Sequence, residues 1–259
     1  MGSSHIESFA LITGATSGIG TEFARTFAAL GYSVVLSGRR ENTLHSLAQE
    51  IHEQYAVEVE VITADLLSEN DVSRLVNRIQ QDSRPVEILV NNAGFGLGKN
   101  FLAATAQEHL RQVDVLAKVP LLLMHTALEK MVTRGRGRII NVASVAAYTP
   151  GGTYSAVKGF LLSASRSAHL QFASCGIDIT VVCPGLTRSG FHRAMKTAEP
   201  QLPNFFWHQP QDVVQAALQA NFRGKAEIIP SFTYRVMALA SRALPQNLVG
   251  LAISRTRDY

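Results

Sequence analysis

Short, nearly all-apolar runs alternate with longer stretches of helical periodicity from Phe9 to Ile229 of this 259-residue chain. Phe9–Thr13, Ser33–Ser37, Glu58–Thr63, Ile88–Asn91, Arg138–Val142 and Ile179–Cys183 read as strands, with a seventh at Glu227–Ile229. Between them the spacing predicts a helix that opens near Ile19 and is closed by Gly31. Further helices are expected at Glu41–Gln54, Glu69–Gln81, Gln107–Thr133 (one long element), Tyr154–Ser174 and Gln211–Asn221. Strands such as these, apolar on both faces, belong to a parallel sheet covered by helices on each side. Right-handed crossovers then give a doubly wound α/β fold. No linker or repeat divides the chain, so residues 1–259 are expected to form one domain, with 232–259 as a C-terminal helical extension. In such sheets ligands sit beyond the C-terminal strand ends, which gathers the loops after Thr13, Ser37, Asn91, Val142 and Cys183 around one cleft.

Composition removes several other classes. At 46% hydrophobic and 17% charged, the chain is too apolar for disorder. Its longest apolar stretch, Val119–Met124, is far short of the ~20 residues of a membrane span. The first residues lack the pattern of a secretory signal. Two cysteines, Cys175 and Cys183, cannot form a disulfide framework and read as core thiols, so a reducing, cytoplasmic setting is expected. Net charge is +4, most of it in the tail, where Arg235, Arg242, Arg255 and Arg257 face Asp258 alone. The near-neutral body argues against a nucleic-acid partner. Arg134, Arg136 and Arg138 read as a solvated connection. The eight His show no metal-ligand spacing, and no metal is expected.

The first strand runs into Thr13-Gly14-Ala15-Thr16-Ser17-Gly18-Ile19-Gly20, which opens a helix. Glycines here permit a tight turn and close approach to a pyrophosphate, whose charge the helix N-terminus favours. This TGxxxGxG spacing resembles the short-chain dehydrogenase/reductase family, a Rossmann-like fold. The resemblance runs from about Phe9 to Ile229. Asn91-Asn92-Ala93-Gly94 matches the family's NNAG, Tyr154 to Lys158 its YxxxK with Ser144 upstream, and Pro184-Gly185 its PG. It implies a dinucleotide held by Gly14, Thr16, Ser17, Gly18, Ile19, Gly20, Asn92, Ala93, Gly94, Pro184, Gly185, Thr187 and Ser189. Asp65 and Leu66 would flank the adenine.

Strand two ends Leu36-Ser37-Gly38-Arg39-Arg40, with glycine where a carboxylate would select NAD(H). A guanidinium can instead pair with a 2′-phosphate, so Arg39 and Arg40 point to NADP(H) rather than NAD(H).

Tyr154 and Lys158 share a helix face at i and i+4. A free phenol titrates near pH 10, and a nearby ammonium brings it toward the working range. The resemblance implies that Tyr154 protonates a carbonyl oxygen while a hydride reaches the carbon. Lys158 would hold the nicotinamide ribose and Ser144 would bond the same oxygen. Two departures stand out. Leu116 occupies the slot of the family's helix Asn, and Ser144 and Tyr154 are about three residues closer than in most relatives.

Phe95 and Leu97 follow the NNAG loop, and Phe191, Met195, Phe206 and Trp207 line the insertion after strand six. They suit a small apolar carbonyl or alcohol, or else they pack as structure or at a subunit contact. In the tail, Phe232, Val236, Met237, Leu239 and Ala240 form an apolar stripe expected to pack over the cleft or a subunit contact, with Arg235 and Arg242 outside. The resemblance also implies a homodimer or homotetramer. The expected function is an NADP(H)-dependent carbonyl/alcohol oxidoreductase; the alternative is a dinucleotide-binding regulatory or structural protein that lost catalysis with the Asn.

Overall fold

The computed structural model describes residues 8–191 and 202–243. Its sheet has seven parallel strands: β1 (Phe9–Thr13), β2 (Ser33–Gly38), β3 (Val59–Thr63), β4 (Val86–Asn91), β5 (Gly137–Val142), β6 (Ile177–Val182) and β7 (Glu227–Ile228). Their order is β3-β2-β1-β4-β5-β6-β7, so the winding reverses between β1 and β4. Leu11 pairs with both Val35 and Leu89, which puts the glycine turn and the NNAG loop side by side at that reversal.

Both faces are covered, as the apolar strands require. On one side Phe23 and Phe27 of α1 (Gly18–Ala29), Leu44 and Leu47 of α2 (Glu41–Tyr55), and Val213 and Ala217 of α7 (Pro210–Phe222) pack on Ile12, Leu36 and Val90. On the other, Leu75 of α3 (Glu69–Ile79), Leu123 and Met131 of α5 (Val119–Arg134), and Val157 of α6 (Gly152–Phe172) pack on Leu11, Leu89 and Ile139. Phe23 and Phe27 are wholly buried, and truncation of either to Ala would cost about 3–5 kcal/mol.

The long helix expected over Gln107–Thr133 runs without interruption but contains a π-helical turn. Helix α4 (Ala106–Val113) is followed by a π-helical turn, Asp114–Lys118, and then by α5. Pro120 near the start of α5 has no N–H to donate, and the Val119 amide reaches back to the Asp114 carbonyl. The widened turn carries Leu116 inward, 1% exposed.

The arginines expected in a solvated connection at the end of α5 are paired: Arg138 donates to Asp178 at 2.6 Å and lies over the Phe222 ring, and Arg134, the last residue of α5, donates to the Val86 carbonyl. The apolar stripe of the C-terminal helix α8 (Phe232–Ala243) does not pack over the cleft: Phe232, Val236, Met237 and Leu239 are exposed, the disposition a subunit contact requires. The helix's buried side is Tyr234, Ala238 and Ser241, where small residues let the helix approach closely and one ring fills the gap. Leu244 and the rest of the tail lie outside the described residues.

Candidate active site

The strand ends converge through a buried polar bridge. Asn91 Nδ2 donates to Asn141 Oδ1 at 2.9 Å, and Asn141 Nδ2 to Ser165 Oγ at 2.8 Å, joining β4, β5 and α6. Asn92 Nδ2 donates to the carbonyls of Thr13 (3.0 Å) and Gly14 (3.1 Å), so this side chain braces the glycine turn from the NNAG loop.

The turn itself is shaped for a close-lying anion. Gly14 and Gly18 adopt φ of +69° and +56°, which favour glycine. A Cβ on Gly14 would stand 2.8 Å from Ala93 Cα, and one on Gly20 would strike the Gly14 carbonyl. Ser17, exposed at the N-cap of α1, makes no side-chain cap bond, which leaves the first amides of this twelve-residue helix to another acceptor. Thr16 and Ile19 are half-buried beside it. These features fit a dinucleotide pyrophosphate.

At the adenine end Gly38 approaches the Thr16 methyl, 2.9 Å from where its own Cβ would be. Arg40 Nη2 donates to the Thr16 carbonyl at 2.8 Å and to its Oγ1 at 3.0 Å, while Arg39 is exposed next to it. Asp65 Oδ1 accepts from the Leu67 amide at 3.1 Å, and Leu66 is buried in the core.

Lys158, 4% exposed, donates from Nζ to the Val142 carbonyl at 2.7 Å. Burial lowers its pKa from the ordinary 10.5 to about 8. The ammonium lies 5.8 Å from the centre of the Tyr154 ring, and the Tyr154 and Phe191 rings are 5.8 Å apart. Ser144 Oγ accepts from the Ala146 amide at 3.1 Å, capping a 3₁₀ turn (Val145–Tyr148) that folds back on α6. The Ala147 carbonyl comes within 3.6 Å of a Cβ built on Gly159, one residue past Lys158, so the short Ser144–Tyr154 connection is taken up by this turn.

Pro184, Gly185, Thr187 and Ser189 form the loop after β6. Thr187 Oγ1 donates to the Gly185 carbonyl and Ser189 Oγ to that of Thr187, so both hydroxyls are turned onto their own loop. Phe95 packs against the core, and its carbonyl accepts from Gln112 Nε2 at 3.1 Å. Leu97 is half-buried beyond it. Phe206 packs against Tyr234, and Trp207 lies under the Arg188 guanidinium at 5.1 Å. Met195 lies outside the described residues. Cys183 is buried and its thiol is pushed up to about 12, chiefly by burial, so it is protonated and inert at neutral pH.

Sequence reasoning missed three neighbours of this site. His109 Nδ1 meets Thr153 Oγ1 at 2.7 Å and its Nε2 the Phe101 carbonyl at 3.0 Å, linking the loop after β4 to the start of α6. Glu227 of β7 accepts from Tyr148 and from Arg166 Nε (2.6 Å), tying the 3₁₀ turn to the sheet edge. Tyr234 of α8 touches the loop after β6. Each contact spans distant segments and leaves no local pattern.

This assembly of turn, strand ends and buried lysine defines a dinucleotide-dependent oxidoreductase of the Rossmann type. The short chain dehydrogenase family model matches residues 8–200, and the chain belongs to that family. It is similar to a short-chain dehydrogenase from Sphingobium yanoikuyae solved in complex with NADPH, with 30% identity and a TM-score of 0.83 over 94% of this chain and 95% of that one. It is also similar to the bulky-bulky ketone specific alcohol dehydrogenase of Comamonas testosteroni, with 30% identity and a TM-score of 0.79 over 91% and 92% of the two chains. A 3-oxoacyl-[acyl-carrier-protein] reductase of Rickettsia prowazekii is 30% identical over 214 residues, 80% of this chain and 86% of the relative. Among the described residues no helix is long and apolar enough to cross a membrane.

Proposed function

We propose that the protein is an NADP(H)-dependent oxidoreductase that interconverts a bulky apolar carbonyl and its alcohol, with Tyr154 as general acid/base. The observation that carries this reading is the Lys158 ammonium, buried and anchored on Val142, one helical turn beyond Tyr154. Gly14, Gly18 and Gly20 would hold the pyrophosphate and Arg39 the 2′-phosphate, with Arg40 bracing the glycine turn through Thr16. The bound nicotinamide supplies or accepts the hydride. Tyr154 gives its phenolic proton to the substrate oxygen, and the Lys158 charge stabilises the phenolate left behind. Ser144 orients that oxygen. Phe191 beside Tyr154, and Phe95 after the NNAG loop, offer apolar surface to the carbonyl's substituents, in keeping with the ketone-specific and 3-oxoacyl-reducing relatives. Exposed Leu121, Leu122 and Phe160 on α5 and α6 favour a homo-oligomer built on those helices.

The test is loss of the reduced-nicotinamide absorbance with a panel of bulky ketones, aldehydes and 3-oxoacyl thioesters, using NADPH and NADH in parallel. Turnover with NADPH and little with NADH is expected. A second reading, a nucleotide-binding protein without turnover, is favoured by one observation: apolar Leu116 faces the corner that Lys158 occupies. NADPH binding with no turnover on any carbonyl would favour it.

A further inference from the structure

The loop after β6 spans the cleft from its chemical end to its phosphate end. At one end the Pro184 carbonyl accepts from the amide of Val145, next to Ser144, at 3.0 Å. At the other, Ser189 packs so closely on Gly18 that a Cβ on the glycine would strike it. Any nicotinamide nucleotide seated on the glycine turn therefore depends on how this loop is held.

What holds it comes from beyond the family-matched residues 8–200. Tyr234 of α8 is 6% exposed, and a side chain on Gly185 would fall inside its ring. The Leu186 amide donates to the Tyr234 hydroxyl at 3.3 Å, and that hydroxyl donates to the Phe206 carbonyl at 3.2 Å. Burial raises the Tyr234 pKa, which keeps the phenol a donor at any physiological pH. The same two segments are stitched by backbone bonds, from His208 N–H to the Leu186 carbonyl and from Arg188 N–H to the His208 carbonyl, both 2.9 Å. Arg188 adds a bond to Asn204 at 3.0 Å.

We propose that Tyr234 is a positioning residue for the nicotinamide end of the cofactor: it locks the loop Pro184–Ser189 and the segment Asn204–His208 together. The C-terminal helix thereby becomes part of the cofactor site. This rests on the oxidoreductase reading. A tyrosine is required because the ring must lie flat on a bare glycine while the hydroxyl bridges an amide and a carbonyl. Phenylalanine would keep the first contact and lose the second.

The experiment is calorimetric titration of the full-length chain, as parent, Tyr234→Phe and Tyr234→Ala, with NADPH and with the adenosine bisphosphate half of the cofactor, which lacks nicotinamide. Tyr234→Phe should weaken NADPH about fivefold, the worth of one neutral hydrogen bond, and leave the half-cofactor within about twofold. Tyr234→Ala should weaken NADPH further, with the half-cofactor again spared. Parent-like NADPH affinity in Tyr234→Phe overturns the proposal, and so does equal weakening of both ligands, which marks a general structural role. If Tyr234→Ala does not fold, the Phe variant decides alone. A parent that binds neither ligand overturns the oxidoreductase reading itself, and is seen before any variant is made.

Discussion

Leu116 and Lys158 both lie beside Gly94: the leucine Cδ2 and the lysine Nζ stand 3.0 and 3.8 Å from where a Cβ on that glycine would be. The lysine's described hydrogen bond is to the Val142 carbonyl, and the leucine gives that corner an apolar wall. An ammonium so placed keeps its proton less tightly than in water.

The first consequence is an alkaline limit near pH 8. Below it Lys158 is charged and supports the Tyr154 phenolate; above it the charge is lost, and kcat/KM for carbonyl reduction should fall. A profile flat to pH 10 would show that the lysine titrates elsewhere. Stability carries the same signature. Unfolding takes up a proton between about 8 and 10.5, so the lysine's contribution is complete above that window and is lost as pH falls through about 8. Denaturant midpoints should rise with pH across this range in the parent, and Lys158→Met should abolish that part of the slope.

Leu116→Asn tests the wall itself. Its carboxamide oxygen would face the ammonium and favour the charged form, so the alkaline limb should move to higher pH. Exchanging a core leucine for an amide should cost about 1–3 kcal/mol, some 2–10 °C in Tm for a chain of this size. An unmoved limb with a lowered Tm would mean that Leu116 matters for packing alone.

Much of this arrangement was legible before the fold was known, for reasons that can be located. Strands such as Leu11, Ile12 and Val34–Leu36 are buried on both faces, so their composition alone marked them, and the glycine turn carries its own steric signature. Long-range choices were not legible. Gln107–Thr133 was readable as one helix, yet nothing local said that the Val119 amide would reach Asp114 and turn Leu116 inward. The stripe Phe232, Val236, Leu239 has the period of a buried face, but α8 is seated by Tyr234 on Gly185, a contact between residues nearly fifty positions apart. His109 against Thr153 is of the same kind.

Tyr154→Phe removes the proton donor and keeps the ring that packs on Phe191. NADPH affinity should stay within a few-fold while kcat drops by about 10²–10⁴, the usual worth of a positioned acid. Retained turnover would reassign the acid, and Ser144 would be examined next.

Arg39 and Arg40 should separate by what else they hold. Arg40 already spends Nη2 on the Thr16 carbonyl and hydroxyl, so Arg40→Ala loosens the glycine turn and should weaken NADPH and NADH alike. Arg39 is exposed beside it and has Gly38 rather than a carboxylate before it. Arg39→Ala should therefore weaken NADPH by about tenfold, the worth of a charge-assisted pair near 1.4 kcal/mol, and leave NADH unchanged. Because the pair is exposed, raising salt toward 1 M should shrink the parent's preference for NADPH and leave that of Arg39→Ala nearly flat. Equal affinity of Arg39→Ala and parent for NADPH at low salt would remove Arg39 as the determinant of cofactor choice.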